Sequence, residues 1–188
     1  MQIKSVEKKQ ILRRKSKLLR KYTNKYQKYA AIRLSNHVNT IINFFNPKYV
    51  SGYWPIKTEL SPLRLLNLLE QKGCKILLPK INPNNKTLNF HIWSEEKELI
   101  EGPYGVLEPS EKNLICSPDL VLVPLLAYDK NFNRLGYGGG FYDRTITNFE
   151  LKKFYLGIAF DNQIVDKVPT EEFDQKLDAI LTPSGLKK

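Results

Sequence analysis

An α/β domain on an open, mainly parallel sheet, with helices on both faces in a three-layer α/β/α arrangement, is the fold this sequence predicts. Three observations predict it. Short apolar runs of strand character alternate with helical stripes. The most apolar run, DLVLVPLLAYD (119–129), lacks a polar face, as a central parallel strand covered on both sides requires. No internal repeat or low-complexity linker interrupts the 188 residues, a length that suits one domain over 1–188 with a basic N-terminal helical segment at 1–33.

The elements follow in order. Val6, Ile11, Leu12, Leu18 and Leu19 recur at roughly helical spacing among charges, predicting a helix from Ile3 to about Lys21. A second helix follows from the stripe Tyr26, Tyr29, Ala30, Leu34, His37, Val38, Ile41 and Phe45, ended by Pro47. His37 lies on that stripe and reads as a packing histidine rather than a catalyst. YVSGYWPI (49–56) is a predicted buried strand. Ser61-Pro62 offers a cap oxygen and then proline at the first helical position. Leu65, Leu66, Leu68 and Leu69 give that helix its buried face, and Gly73 closes it. KILLPKI (75–81) is the next strand, Asn82, Pro83, Asn84 and Asn85 form a turn, and LNFHIW (88–93) alternates as a short strand. Beyond the central run a short helix should begin near Tyr142, with later strands at 154–160 and 177–183.

The net charge of +11 is a property of the N-terminus. Residues 1–33 hold 12 Lys/Arg and one acid, Glu7; the remainder holds 18 of each sign. A solvated helix face accounts for most of these lysines. An anionic partner (phosphates, nucleic acid or a membrane surface) is the sharper alternative. A mitochondrial targeting peptide fits less well, because lysine dominates and the segment runs unbroken into a helical pattern. No apolar run approaches the ~20 residues that span a bilayer, and there is no secretory h-region. Cys74 and Cys116 lie in apolar surroundings without metal-type spacing, so both are expected to be reduced core residues of a cytoplasmic protein.

RLGYGGGFYDR (134–144) concentrates four glycines into five positions after the central strand, where open α/β sheets bind ligands. Glycines there let backbone N–H groups approach phosphate oxygens. A dinucleotide fingerprint would need glycine at Phe141, and a P-loop would need a following Gly-Lys-Ser/Thr, which is absent. On glycine content alone, a phosphate cradle and a tight strand-to-helix turn stand about equal. Asp143 is well placed to hold Mg²⁺, which prefers one or two carboxylates plus substrate phosphates. Arg134 and Arg144 bracket the loop with charge, or form surface ion pairs.

The whole stretch resembles the signature of the 5-formyltetrahydrofolate cyclo-ligase family, and the resemblance runs along nearly the entire chain. Lys9-x-x-Leu12-Arg13 resembles the family's N-terminal motif, and Trp54 and Glu59 fall in its strand-then-Glu segment. Leu78-Pro79, Phe90, Trp93, Gly105-Val106-x-Glu108-Pro109, then Pro124, Ala127 and Asp129 lead in order to the glycine loop. Gly157, Ala159-Phe160-Asp161, Gln163, Pro169, Asp174 and Ile180-Leu181-Thr182 follow it. Leu125 stands where the family often has glycine, and Phe173 where histidine is common.

The resemblance implies a Rossmann-like sheet of the sugar-phosphate isomerase/CoA-transferase type. It also implies ATP- and Mg²⁺-dependent closure of 5-formyltetrahydrofolate to 5,10-methenyltetrahydrofolate. Lys9, Arg13 and the loop from Arg134 through Leu135, Gly136, Tyr137, Gly138, Gly139, Gly140 and Phe141 to Tyr142 would hold ATP. Trp54, Glu59 and Tyr137 through Phe141 would meet the folate. Asp143 and Asp174 would be magnesium ligands, and Arg134, Tyr142 and Asp143 would act at the transferring phosphoryl. The expected partner is a reduced folate, with or without a polyglutamate tail, bound by a monomer without membrane or nucleic acid. The rival readings are an RNA-binding module using the basic helices, or a different enzyme on a similar sheet without an ATP requirement.

Overall fold

The computed structural model describes residues 5–149 and 153–188. In chain order the elements are α1 (Ser5–Thr23), α2 (Gln27–Ser35), α3 (Val38–Phe45), β1 (Tyr49–Ser51), α4 (Leu63–Gln71), β2 (Lys75–Ile81) and β3 (Leu88–Ile92). Then come β4 (Leu99–Glu101), β5 (Leu107–Pro109), β6 (Leu120–Pro124), β7 (Ala127–Tyr128), β8 (Arg134–Leu135), α5 (Phe141–Thr147), β9 (Phe154–Ile158), β10 (Ala179–Thr182) and β11 (Gly185–Lys187). The predicted helix start at Ile3 lies outside the described residues.

The main sheet has the order β11-β10-β9-β6-β1-β2-β3. Its five inner strands are parallel, and β11 and β3 pair antiparallel at the edges. The predicted α/β class is therefore the observed one, with β6 at the centre. Alternation along β6 sends Leu120 and Leu122 to the face covered by α2, α3 and α4, where Leu34, Ile41, Leu65, Leu66 and Leu69 are fully buried. Val121 and Val123 face the other side, packing with Phe90, Leu125 and Ile180 beneath Tyr142 and Phe149. Each such side chain contributes roughly 1.5–3 kcal/mol on burial.

Several expectations are corrected. The helix predicted across 26–45 breaks at Asn36-His37 into α2 and α3. Tyr22, Tyr26 and Tyr29 are exposed rather than on a core face, with Lys25 over the Tyr26 ring and Arg33 over the Tyr29 ring. His37 is half-buried, its Nε2 3.2 Å from the Pro183 carbonyl oxygen, which suits a packing role. The strand predicted at 49–56 keeps sheet pairing only over Tyr49–Ser51, and 119–129 divides into β6 and β7. Ser61 caps from one residue further out, its Oγ accepting the Leu63 N–H at 3.4 Å. Cys74 is buried as expected, but Cys116 is only half-buried.

The largest reversal is in α1. Its buried residues are Lys9, Ser16 and Arg20, while Val6, Ile11, Leu18 and Leu19 are exposed. The helix lies not on the apolar sheet face but across the polar mouth at the carboxyl ends of the strands. Its inward stripe is therefore mainly polar, with Leu12 packing against Ala127, Leu135 and Val168.

Candidate active site

A cleft of about 1080 Å³ opens at the carboxyl ends of β1, β2 and β6, where Tyr53, Trp54, Ile81 and Pro124 form part of its wall. It sits on the edge of the parallel sheet that the general rule for α/β folds assigns to ligands. All of the residues that the sequence proposes for phosphate, metal and folate line it: Lys9, Arg13, Trp54, Glu59, the loop from Arg134 to Asp143, and Asp174. They come from α1, the β1–α4 connection, the β8–α5 loop and the segment before β10.

The loop does not leave the central strand directly. A two-stranded ribbon, β7 with β8, intervenes. Buried Asp129 pins the ribbon's turn by accepting the N–H groups of Asn131, Asn133 and Val168 and the Asn133 side chain at 2.9–3.1 Å. Burial pushes the Asp129 carboxyl up, but these bonds outweigh it and hold the group below its ordinary range. The turn in turn fixes Arg134 at the cleft floor. Gly138 and Gly140 take φ of +105° and +68°, conformations costly to residues with a β-carbon. Gly140 is the N-cap of α5, so the chain enters the helix beside the cleft.

Two cation–carboxylate pairs flank the loop. Both Nη atoms of Arg134 donate to Asp143 Oδ1 at 2.9 Å, and the Gln175 N–H joins them at 3.1 Å. Lys9 Nζ lies 2.7 Å from Glu171 Oε2 and 2.6 Å from Asp174 Oδ2, which also accepts the Glu171 N–H. Burial opposes the Lys9 charge, yet its bonds to Asp174 and Glu171 prevail and hold the ammonium above the usual lysine range. Asp143 thus takes its hydrogen bonds from described residues through Oδ1, and Asp174 through Oδ2. One oxygen of each carboxylate is left for a hard cation, a donor set that suits Mg²⁺ completed by phosphate oxygens and water. No cluster of three or more His, Cys, Asp or Glu forms a closed metal cage among the described residues.

Opposite the loop, Glu59 is only 4% exposed, its Oε2 accepting the Ile56 N–H at 3.0 Å. Burial raises its carboxyl from 4.5 to about 7, against the pull of that bond and of the Arg20 and Lys57 charges. Burial likewise pushes up the Tyr142 and Tyr53 hydroxyls, with Glu59 adding to both. Held protonated, the Tyr142 hydroxyl is able to donate a hydrogen bond rather than serve as a base. Trp54 is half-buried, edge-on to Trp93 at 6.1 Å, so it both packs and lines the cleft.

The folded protein holds its Glu59 proton to higher pH than the unfolded chain does. Stability attributable to Glu59 therefore falls as pH rises from about 4.5 to 7. Glu59→Gln should remove that slope, gaining on the order of 2–3 kcal/mol over wild type above pH 7 and little at pH 4.5. Urea unfolding without ligand checks this; parallel pH profiles for the two proteins would contradict it.

Tyr53, Tyr104 and Glu171 also line the cleft and were missed, as was Arg20, which lies behind it and bonds the Tyr137 hydroxyl. Arg20 had a signal: with Lys9, Arg13 and Ser16 it repeats at i, i+4, i+7 and i+11, one face of a helix. Tyr104 had none, since its placement near Phe141, ring centroids 6.0 Å apart, depends on the β4–β5 ribbon.

Comparison with known proteins gives the chain's family. Residues 2–183 match the 5-formyltetrahydrofolate cyclo-ligase family. A Haemophilus influenzae protein named 5-formyltetrahydrofolate cyclo-ligase is 30% identical over 184 residues, covering 94% of this chain and 98% of that one. An Escherichia coli K12 protein of the same name is 37% identical over 135 residues, 67% of this chain and 72% of that one. The Aquifex aeolicus 5,10-methenyltetrahydrofolate synthetase structure superposes with a TM-score of 0.81 at 25% identity, covering 96% of this chain and 92% of that one. A Mycoplasma pneumoniae 5,10-methenyltetrahydrofolate synthetase shares the fold with a TM-score of 0.74 at 20% identity, covering 93% and 98%. With its sheet, its glycine loop and a match across almost its full length, this chain belongs to the 5-formyltetrahydrofolate cyclo-ligase family of enzymes.

Proposed function

We propose that this protein, acting as one domain over residues 1–188, converts 5-formyltetrahydrofolate to 5,10-methenyltetrahydrofolate at the expense of ATP, releasing ADP and phosphate. The observation that carries the reading is the convergence, on one cleft, of a positive-φ glycine loop bracketed by Lys9, Arg13 and Arg134 with a buried carboxylate and an indole. The loop is suited to phosphates and the carboxylate to the donor-rich edge of a pterin.

The chemistry needs both halves. A formamide oxygen is a poor leaving group, so the neighbouring amine outside the pterin ring does not displace it. Transfer of the terminal phosphoryl of ATP to that oxygen turns it into phosphate. The tethered amine then attacks the formyl carbon and gives up its proton to solvent or the departing phosphate, the C–O bond breaks, and phosphate departs with both C–O bonding electrons. A nucleophile already in the molecule gains the large advantage of proximity. The protein's part is to orient two ligands and stabilise charge on the transferring group. Arg134 and Lys9 supply that charge, Tyr142 a protonated hydroxyl, and Trp54 a flat surface for the pterin. Asp143 and Asp174 would hold Mg²⁺, which would supply charge neutralisation on the phosphates. No Ser–His or Cys–His nucleophile is required.

Lys9→Ala should raise the ATP KM about tenfold and the folate KM less than threefold, because a charge-assisted contact is lost only on the phosphate side. Equal shifts in the two constants would return Lys9 to a structural role with Glu171 and Asp174. The activity itself is tested by mixing protein, 5-formyltetrahydrofolate, ATP and Mg²⁺ and following the near-ultraviolet band of the methenyl product. An ATP-dependent band abolished by EDTA is expected. A flat trace from folded, ATP-binding protein would mean that the acceptor is a different molecule.

A further inference from the structure

We propose that Arg20 is a positioning residue that sets the glycine loop against the folate half of the cleft by gripping Tyr137. The inference rests on reading this cleft as the cyclo-ligase site.

Arg20 is 2% exposed, and its guanidinium reaches three segments distant in sequence. Nε donates to Thr58 Oγ1 at 3.0 Å, Nη1 to the Leu125 carbonyl at 3.2 Å, and Nη2 to the Tyr137 hydroxyl. The guanidinium carbon also lies 5.1 Å from the centre of the Tyr137 ring, and Lys17 Nζ lies 5.4 Å from it. One planar group thus references three things to each other: the turn that carries Glu59, the end of the central strand, and the middle of the glycine loop.

The loop needs such a reference. Arg13 Nε holds its start through the Gly136 carbonyl at 3.0 Å, and Arg144 holds its end through the Gly139 carbonyl at 2.8 Å. Between those points Gly138 offers no side chain, so the Tyr137 side chain is the handle on the middle. Leu125 keeps its carbonyl satisfied without Arg20, because Gln163 Nε2 also donates to it at 2.9 Å. Removing Arg20 therefore acts on Thr58 and Tyr137, the two ends that matter to substrate placement. An ammonium cannot replace the planar fork of donors, so the choice of arginine is itself informative.

The ATP-side anchors Lys9 and Arg13 are untouched by this grip, and this separates a positioning role from a merely structural one. Arg20→Met should raise the folate KM about tenfold and lower kcat by a similar factor, with the ATP KM rising by a smaller factor because Tyr137 also belongs to the loop proposed for phosphate. Tyr137→Phe, which keeps the ring but loses the hydroxyl, should move the same constants in the same direction by less. The double variant should be no worse than Arg20→Met alone, since both remove one shared interaction. A lowered melting temperature with both KM values unchanged would overturn the proposal, as would single effects that multiply in the double variant. If Arg20→Met does not fold, an unchanged folate KM in Tyr137→Phe overturns it alone. Wild-type protein that forms no methenyl product would instead refute the cyclo-ligase reading, a distinct failure seen before any variant is compared.

Discussion

Asp143→Ala is expected to lower kcat by about 10²–10³-fold or more while the chain stays folded. Asp143 lies one residue past the proposed nucleotide loop, in the first turn of α5, and lines the cleft. Its Oδ1 is committed to Arg134 and to the Gln175 N–H, and Oδ2 is left for the proposed Mg²⁺. The substitution removes that ligand and also frees Arg134, which keeps its bond to the Gln175 carbonyl at 2.9 Å. Asp143→Asn separates the two effects: it preserves size and an acceptor for Arg134 but weakens the hold on a hard cation. Both variants should show a raised Mg²⁺ requirement and a melting temperature within a few degrees of wild type. A variant that retained most of its activity at ordinary Mg²⁺ would remove Asp143 from the proposed metal site.

Gly138→Ala is the second large effect, expected to raise the ATP KM and lower kcat by a combined 10–10²-fold. Two costs add. At φ +105° a β-carbon is strained, by about 1–2 kcal/mol or more. It would also stand 3.3 Å from Arg13 Cζ, so the guanidinium would have to give by a few tenths of an ångström. Gly136→Ala is the informative comparison, because a β-carbon there meets nothing within 4 Å and its backbone is not left-handed. Its loss should be the smaller. Steady-state kinetics that ranked the two variants equally would mean that the loop works through general flexibility and not through a shaped approach to phosphate.

Strong local patterns made much of this legible. The all-apolar β6 could only be a central strand, and the density of glycines beside an aspartate marked the loop before any fold was known. What was misread depended on which surface an element packs against. Of the stripe Val6, Ile11, Leu12, Leu18 and Leu19, only Leu12 packs inward, and α1 turns the rest outward because the helix closes a polar mouth rather than an apolar sheet face. The same fact explains why Arg20 carries no role that the sequence alone assigns. Tyr26 and Tyr29 were assigned to a core that α2 fills with Ala30 and Leu34 instead. The pairing of Lys9 with Asp174 spans 165 residues, and no local pattern reports a contact of that range.

The proposed chemistry makes one demand that no rival reading shares: the formyl oxygen must leave the folate as an oxygen of phosphate. The decisive measurement uses 5-formyltetrahydrofolate labelled with ¹⁸O in the formyl group, turned over with ATP and Mg²⁺, and mass analysis of the inorganic phosphate released. One ¹⁸O atom per phosphate is the predicted result. Methenyl product formed with unlabelled phosphate, the isotope appearing in water, would show that the formyl oxygen is never phosphorylated and that the glycine loop spends ATP on some other step.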